Sequence, residues 1–380
     1  MSVWDDLIGQ AEAIGVFRAA AAAAHAGEPG MTHSWLITGP PGSGRSNLAY
    51  AFAAALLGEE DDEATKHQVD ARTHPDLGFL ATERVIITID EVRELVTSSQ
   101  FSPSVSRFRV MVIEDADRMT ERTSNVLLKA LEEPPPRTVW ILCAPSEADL
   151  IPTVRSRVRT VRLRVPSIAD VATLLHTRDG VPEDLAERAA REAQSHIGMA
   201  HRLATNDDTR ARREQTLSVA LGIRTVTDAV LAAATLLDVA TDDAKAITEE
   251  RDAEEREAAL RSLGLDATAT VPPALRAQLR QLDEDQKRRA TRSLRDGIDR
   301  ILVDLLSLYR DVLLLQLGAG IELVNVGILP ELERVAATSS AEASLTTLDA
   351  IATARKRIEL NVAPALALEA MLITARRKNA

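Results

Sequence analysis

The stretch Gly39-Pro40-Pro41-Gly42-Ser43-Gly44-Arg45-Ser46 decides the fold class. Its spacing follows the phosphate-loop pattern, with Gly39 and Gly44 on the two glycines and Ser46 on the magnesium-binding hydroxyl. An apolar run, His33–Thr38, precedes it, and a helical pattern over Asn47–Leu57 follows. That strand–loop–helix context turns successive backbone N–H groups and a helix N-terminus into an anion site. The lysine of the pattern is replaced by Arg45, whose longer, planar fork is no substitute for a compact ammonium on the β- and γ-phosphates. Two readings follow. The loop is a nucleotide site that binds ATP weakly or not at all, with magnesium only as the partner of ATP, or it merely packs the edge of a sheet.

Working outward, Arg107–Ile113 and Thr138–Cys143 are two more short apolar runs, and helical spacing falls between the runs at Ile89–Ser98 and Glu121–Leu131. Alternation of this kind predicts a parallel α/β sheet. Pro134, Pro135 and Pro136 stop the helix before the third run. The second run ends in Ile113-Glu114-Asp115-Ala116-Asp117. A hydrolysing phosphate-loop ATPase of this class ends that strand in Asp then Glu, the first for magnesium and the second for the attacking water. Here the order is reversed, so the base position holds Asp115. One missing methylene displaces a carboxylate by roughly 1 Å, which costs on the order of a hundredfold in rate. Glu114 and Asp115 equally suit a plain helix N-terminus.

Beyond Pro166 the strand patterns stop. Ser167 caps a predicted helix through Leu175, and Pro182–Ala193 and Ser195–Leu203 predict two more. Asn206-Asp207-Asp208 reads as a junction, and nearly everything after Ala211 has helical period, interrupted over Gly264–Pro273. The expected division is an α/β domain at 1–165, a small helical domain at 166–206 and a larger helical domain at 207–380. Thr241–Arg261 is charged enough for a solvated helix. Ile301–Leu317 is apolar on several sides and is expected to be buried, inside its own domain or against neighbouring subunits.

Composition excludes several classes. A single cysteine, Cys143, rules out a disulfide framework and a multi-cysteine zinc cluster. The net charge of −12 argues against DNA binding over the whole surface, and 3% aromatics argue against a base-stacking platform. No signal peptide or membrane span is expected, so the chain reads as soluble.

Longer runs carry a family resemblance. Trp4-Asp5-Asp6-Leu7-Ile8-Gly9-Gln10, His33–Pro40, Leu127-Leu128-Lys129-Ala130-Leu131-Glu132-Glu133-Pro134-Pro135, Ile151-Pro152-Thr153-Val154-Arg155-Ser156-Arg157 and Arg357–Leu366 resemble the bacterial clamp-loader ATPases of the AAA+ class. Arg45 and the Glu114-Asp115 reversal resemble its delta-prime members, of the actinobacterial kind, more than its ATP-hydrolysing gamma/tau members, which stay the alternative. The resemblance implies an AAA+ domain, a helical lid and a helical collar. It implies a place in the clamp loader of the DNA polymerase III holoenzyme, a DNA-directed DNA polymerase. The implied partners are gamma/tau and delta-type subunits, the sliding beta clamp and primer-template DNA, in the cytoplasm at the nucleoid-associated replisome, with no membrane. Arg157 falls where the family carries an arginine finger that reaches a neighbour's ATP. Taken alone, Arg155, Arg157 and Arg159 read as alternate positions of one strand. Together with Arg162 and Arg164 they form a run with no acid between them, suited to DNA or, more readily, to a partner's phosphate. Val158 replaces the cysteine of the family's Ser-Arg-Cys motif. Many relatives place four cysteines for zinc where Gly58–His74 has only His67 and His74, so no zinc is expected. At the lid position where ATP-binding members carry arginine, this chain offers His201.

Overall fold

Five strands form one parallel sheet in the computed structural model, which describes residues 2–4, 7–27, 31–82, 86–262 and 276–376. They are β1 (Ser34–Thr38), β2 (Leu77–Leu80), β3 (Arg109–Ile113), β4 (Thr138–Ala144) and β5 (Arg159–Arg162), in the order β2-β3-β4-β1-β5. Strands β1, β3 and β4 are buried along their whole length, as the inner strands of a sheet covered on both faces must be. Alternate side chains feed two separate cores. Val110, Val112, Val139, Ile141 and Cys143 pack with α1 (Ala11–Ala26) and α2 (Arg45–Leu57). Met111, Ile113, Trp140, Leu142 and Ala144 pack on the other face. There they meet helices that start in chain order after α3 (Glu63–Asp70): α4 (Ile89–Ser99), α5 (Glu121–Glu132) and α6 (Pro152–Arg155). The expected α/β layer architecture is therefore present. Asp5 and Asp6 of the opening motif lie outside the described residues.

The chain divides into two units, Met1–Thr205 and Asn206–Ala380. In the first, α7 (Ile168–Asp179), α8 (Glu183–Glu192) and α9 (Ile197–Thr205) share a small core of Val171, Leu175, Ala186, Ala190, Ala200 and Leu203. Ser167 caps α7 in a capping box with Asp170, and Gly180 closes it in the left-handed region.

The second unit is helical: α10 (Asp207–Gly222), α11 (Val226–Ser262), α12 (Arg276–Gln316), α13 (Leu329–Thr338), α14 (Ala341–Glu359) and α15 (Pro364–Ala375). Leu236, Leu305, Leu308, Val312, Leu332, Ile351 and Leu368 lie in its core. The apolar stretch of α12 is buried at Ile301, Leu302, Leu305 and Leu308 and half-buried over Leu313–Leu315. Asp311, fully buried, accepts from the N–H groups of Val324 and Asn325 and from the Asn325 amide. Arg213 joins Asn325 to Asp304, so a polar knot fastens the segment after α12. The charged length of α11 is not simply solvated, because Arg256 meets Asp283 at 2.6 Å and Arg289 meets Glu255 at 2.9 Å on α12. The Gly264–Pro273 interruption lies outside the described residues.

Candidate nucleotide site and arginine finger

The phosphate loop leaves the C-terminal end of β1 and enters α2, at the strand edge where ligands of open α/β sheets sit. Its glycines are obligatory for different reasons. A Cβ on Gly39 would stand 2.7 Å from Ser43 Oγ and 2.8 Å from Leu163 Cβ. Gly42 and Gly44 have φ of +77° and +89°, a region costly for other residues. Pro40 closes a turn by accepting from the Ser43 N–H, and Pro41 is exposed on that turn. Ser43 Oγ and Thr38 Oγ1 are buried without a hydrogen-bond partner. The first turn of α2 has no acid and no side-chain cap, and Ser46 is half-buried on it. These features fit an anion.

Arg45 does not. Its Nη1 donates to the Gly39 carbonyl at 2.8 Å, folding the side chain back on its own loop. Glu114 is spent elsewhere too. Its Oε1 accepts from the Tyr50 hydroxyl at 2.7 Å and lies 3.8 Å from Arg72 Nη2, with the Arg72 guanidinium over the Tyr50 ring. Burial, and then the Glu114 charge, push the Tyr50 hydroxyl far up, so it remains a donor to that carboxylate. Asp115 stands at the N-cap position of the turn Ala116–Arg118 without a side-chain cap bond, and its Oδ2 lies 3.5 Å from Arg118 Nε. Asp117, which the sequence reading left without a role, is raised by burial and then by the Asp115 charge, and the Arg118 and Arg45 charges oppose the rise. Three acids within four residues beside the loop were the available signal. The residues thus fit a phosphate group better than a magnesium-bound nucleotide.

The lid brings a different residue to the loop from the one expected. His201 Nδ1 pairs with Asp179 Oδ2 at 2.7 Å within the lid. Hydrogen bonding by Arg178, against the opposing effect of burial and reinforced by His201, holds Asp179 at about 2. His196 instead packs its ring on Gly42, so close that a Cβ there would meet its Cγ at 2.2 Å. The next residue, Ile197, donates its N–H to the Gly42 carbonyl at 3.1 Å. Gln10, buried, ties the loop to the lid's approach: its Nε2 donates to Arg164 O at 2.9 Å, and its Oε1 accepts from Arg164 N at 3.1 Å.

Arg155, Arg157 and Arg159 do not lie on one strand. Arg155 ends α6, Arg157 follows in a turn, and β5 begins only at Arg159. Pro152 at the start of α6 favours that helix. The run with no acid in sequence meets acids in space: Arg157 with Glu132, Arg162 with Glu147, and Arg164 with Glu12. Arg159 lies over the Trp35 ring. In the stretch compared with zinc-bearing relatives, His74 is buried, and burial lowers its pKa. Its Nδ1 accepts from the Asp76 N–H at 3.1 Å. Among the described residues no helix is long and apolar enough to cross a membrane.

Residues 10–167 match the family model described as DNA polymerase III, delta subunit. The chain is 30% identical over 215 residues to the DNA polymerase III subunit delta' of Pseudomonas aeruginosa, a match covering 54% of this chain and 65% of that one. It is 32% identical over 198 residues to the Escherichia coli subunit delta', covering 50% and 59%. The gamma subunit of Buchnera aphidicola matches over a shorter stretch, 31% over 150 residues, covering 38% and 41%. The chain therefore spans less than two thirds of the length of these curated relatives.

Proposed function

We propose that the chain, which is similar over about half its length to DNA polymerase III delta-prime subunits, is a structural and trans-acting subunit of a clamp loader. In this reading it joins gamma/tau and delta-type subunits in a ring, in the cytoplasm at the replisome. The ring opens the sliding beta clamp and closes it on primer-template DNA. The chain's own site turns over no ATP, and its contribution to chemistry is Arg157, offered to the ATP of a neighbouring subunit. A guanidinium at that position stabilises charge on the transferring phosphoryl group and is worth on the order of 10³-fold in rate.

The observation that supports this most is the double diversion in the phosphate site. Arg45 is bonded to Gly39 and Glu114 to Tyr50, so neither of the charged groups the chemistry needs faces a substrate. ATP, where it binds, sits on the Gly42–Gly44 amides and Ser46, with magnesium as its companion and not as a resident of the protein. The shorter match to a gamma subunit keeps an ATP-hydrolysing role as the second reading. Titration of the purified chain with ATP, with and without magnesium, separates the two. The expected result is weak or no binding, little effect of magnesium, and hydrolysis at background. Turnover comparable to that of a gamma-type subunit would overturn the proposal.

A further inference from the structure

We infer that Glu132 is the positioning residue for Arg157, a carboxylate that sheathes the guanidinium until a neighbour's γ-phosphate displaces it. The inference rests on the trans-acting role of Arg157 proposed above. Its ground is the donor inventory of one side chain. A guanidinium has five N–H donors in a fixed fork. Nε of Arg157 donates to Glu132 Oε1 at 2.5 Å, and Nη2 is paired with the same oxygen. Nη1 donates to the Thr153 carbonyl at 2.6 Å and to Ser156 Oγ at 3.0 Å. A bidentate grip on phosphate needs two parallel N–H groups on one edge of the fork. With Nε, Nη1 and Nη2 directed in this way, no such edge is left open.

The contacts differ in how readily they yield. Thr153 and Ser156 belong to the same short segment as Arg157 and move with it. Glu132 comes from a different element, the last residue of α5, and its side chain is 45% exposed. Its place there runs against the helix dipole, because a carboxylate in the last turn faces the negative end. Glu133 and the prolines after it end the helix, so Glu132 stays in that unfavourable position, where the Arg157 charge offsets it. An exposed ion pair of this kind holds weakly against solvent. The γ-phosphate, with more charge and three acceptor oxygens, takes the Nε/Nη2 edge from it.

A group that must be unsheathed lowers the apparent affinity of the partner that uses it in proportion to the fraction that is unsheathed. Removing the competing charge therefore tightens the assembled loader's hold on ATP. The test uses the complete loader reconstituted with this chain as wild type, Glu132→Gln, Arg157→Ala and the double variant. The expected result for Glu132→Gln is an apparent KM for ATP lowered about two- to fivefold, the range a weak surface pair allows. The change is carried by KM and not by kcat, and Glu132→Ala reproduces it. In the Arg157→Ala background the Glu132 substitution has no further effect. A fall in kcat at unchanged KM that persists in the Arg157→Ala background would mean that Glu132 only pins α5 to α6, and it overturns the inference. If Arg157→Ala itself leaves the loader's turnover unchanged, the finger assignment fails and the inference with it. If Arg157→Ala lowers turnover while Glu132→Gln does nothing, the finger stands and the sheath alone is wrong.

Discussion

Asp76 shows how one buried carboxylate shapes a surface. Burial alone would push its pKa up. The N–H groups of Ser106, Ser104 and Val105 and the Ser104 hydroxyl outweigh that and hold it at about 2. Arg109 Nη2 adds an ion pair at 3.4 Å. The folded value lies below the ordinary value of about 3.9, so the stabilisation is present above about pH 4 and is lost as pH falls towards 2. The shift is worth about 2 kcal/mol. Urea midpoints measured between pH 5 and pH 2.5 are expected to fall for the wild type and to fall less steeply for Asp76→Asn. That variant is also expected to be less stable at pH 7 by about 3 kcal/mol, because Arg109 then lacks its charge partner. At this scale the sequence showed which residues form the phosphate loop and that Arg45 and Glu114-Asp115 depart from the pattern. It could not show where the departing groups had gone, because Tyr50 lies 64 positions from Glu114 and only the packing of α2 against β3 brings them together.

Among the elements, the strands that sequence reading found and missed divide by their place in the sheet. Runs at β1, β3 and β4 were legible because inner strands are apolar on both faces. The missed strand β2 (Leu-Gly-Phe-Leu) and the misplaced strand β5 (Arg-Thr-Val-Arg) are the two edges. Edge strands are short and polar or broken by glycine, since only part of their surface is covered. The misplaced arginines have the same origin: Pro152 starts a helix, so the strand begins later than alternation suggested. The docking of α9 on the loop was not legible either, since a histidine before a helix has no distinctive spacing. It yields a prediction. Gly42→Ala forces a side chain into a left-handed backbone and against His196, and it is expected to cost about 1–3 kcal/mol. Thermal melting reads the loss, and faster amide exchange at Ile197, whose N–H binds the Gly42 carbonyl, locates it.

For the whole molecule, an acidic chain with net charge −12 is expected, in the proposed role, to meet its partners through particular surfaces and not through a general affinity for nucleic acid. The first unit carries a phosphate loop turned inward on its own arginine and, on a separate segment, an arginine held at the surface by Glu132. In the proposed function these two have exchanged importance: the chain's own site is idle and its arginine serves a neighbour. The most direct measurement is steady-state ATP turnover of the complete loader carrying this chain as wild type, Arg157→Ala or Asp115→Asn. The expected result is lowered turnover for Arg157→Ala and wild-type turnover for Asp115→Asn. Lowered turnover for Asp115→Asn with none for Arg157→Ala would contradict it.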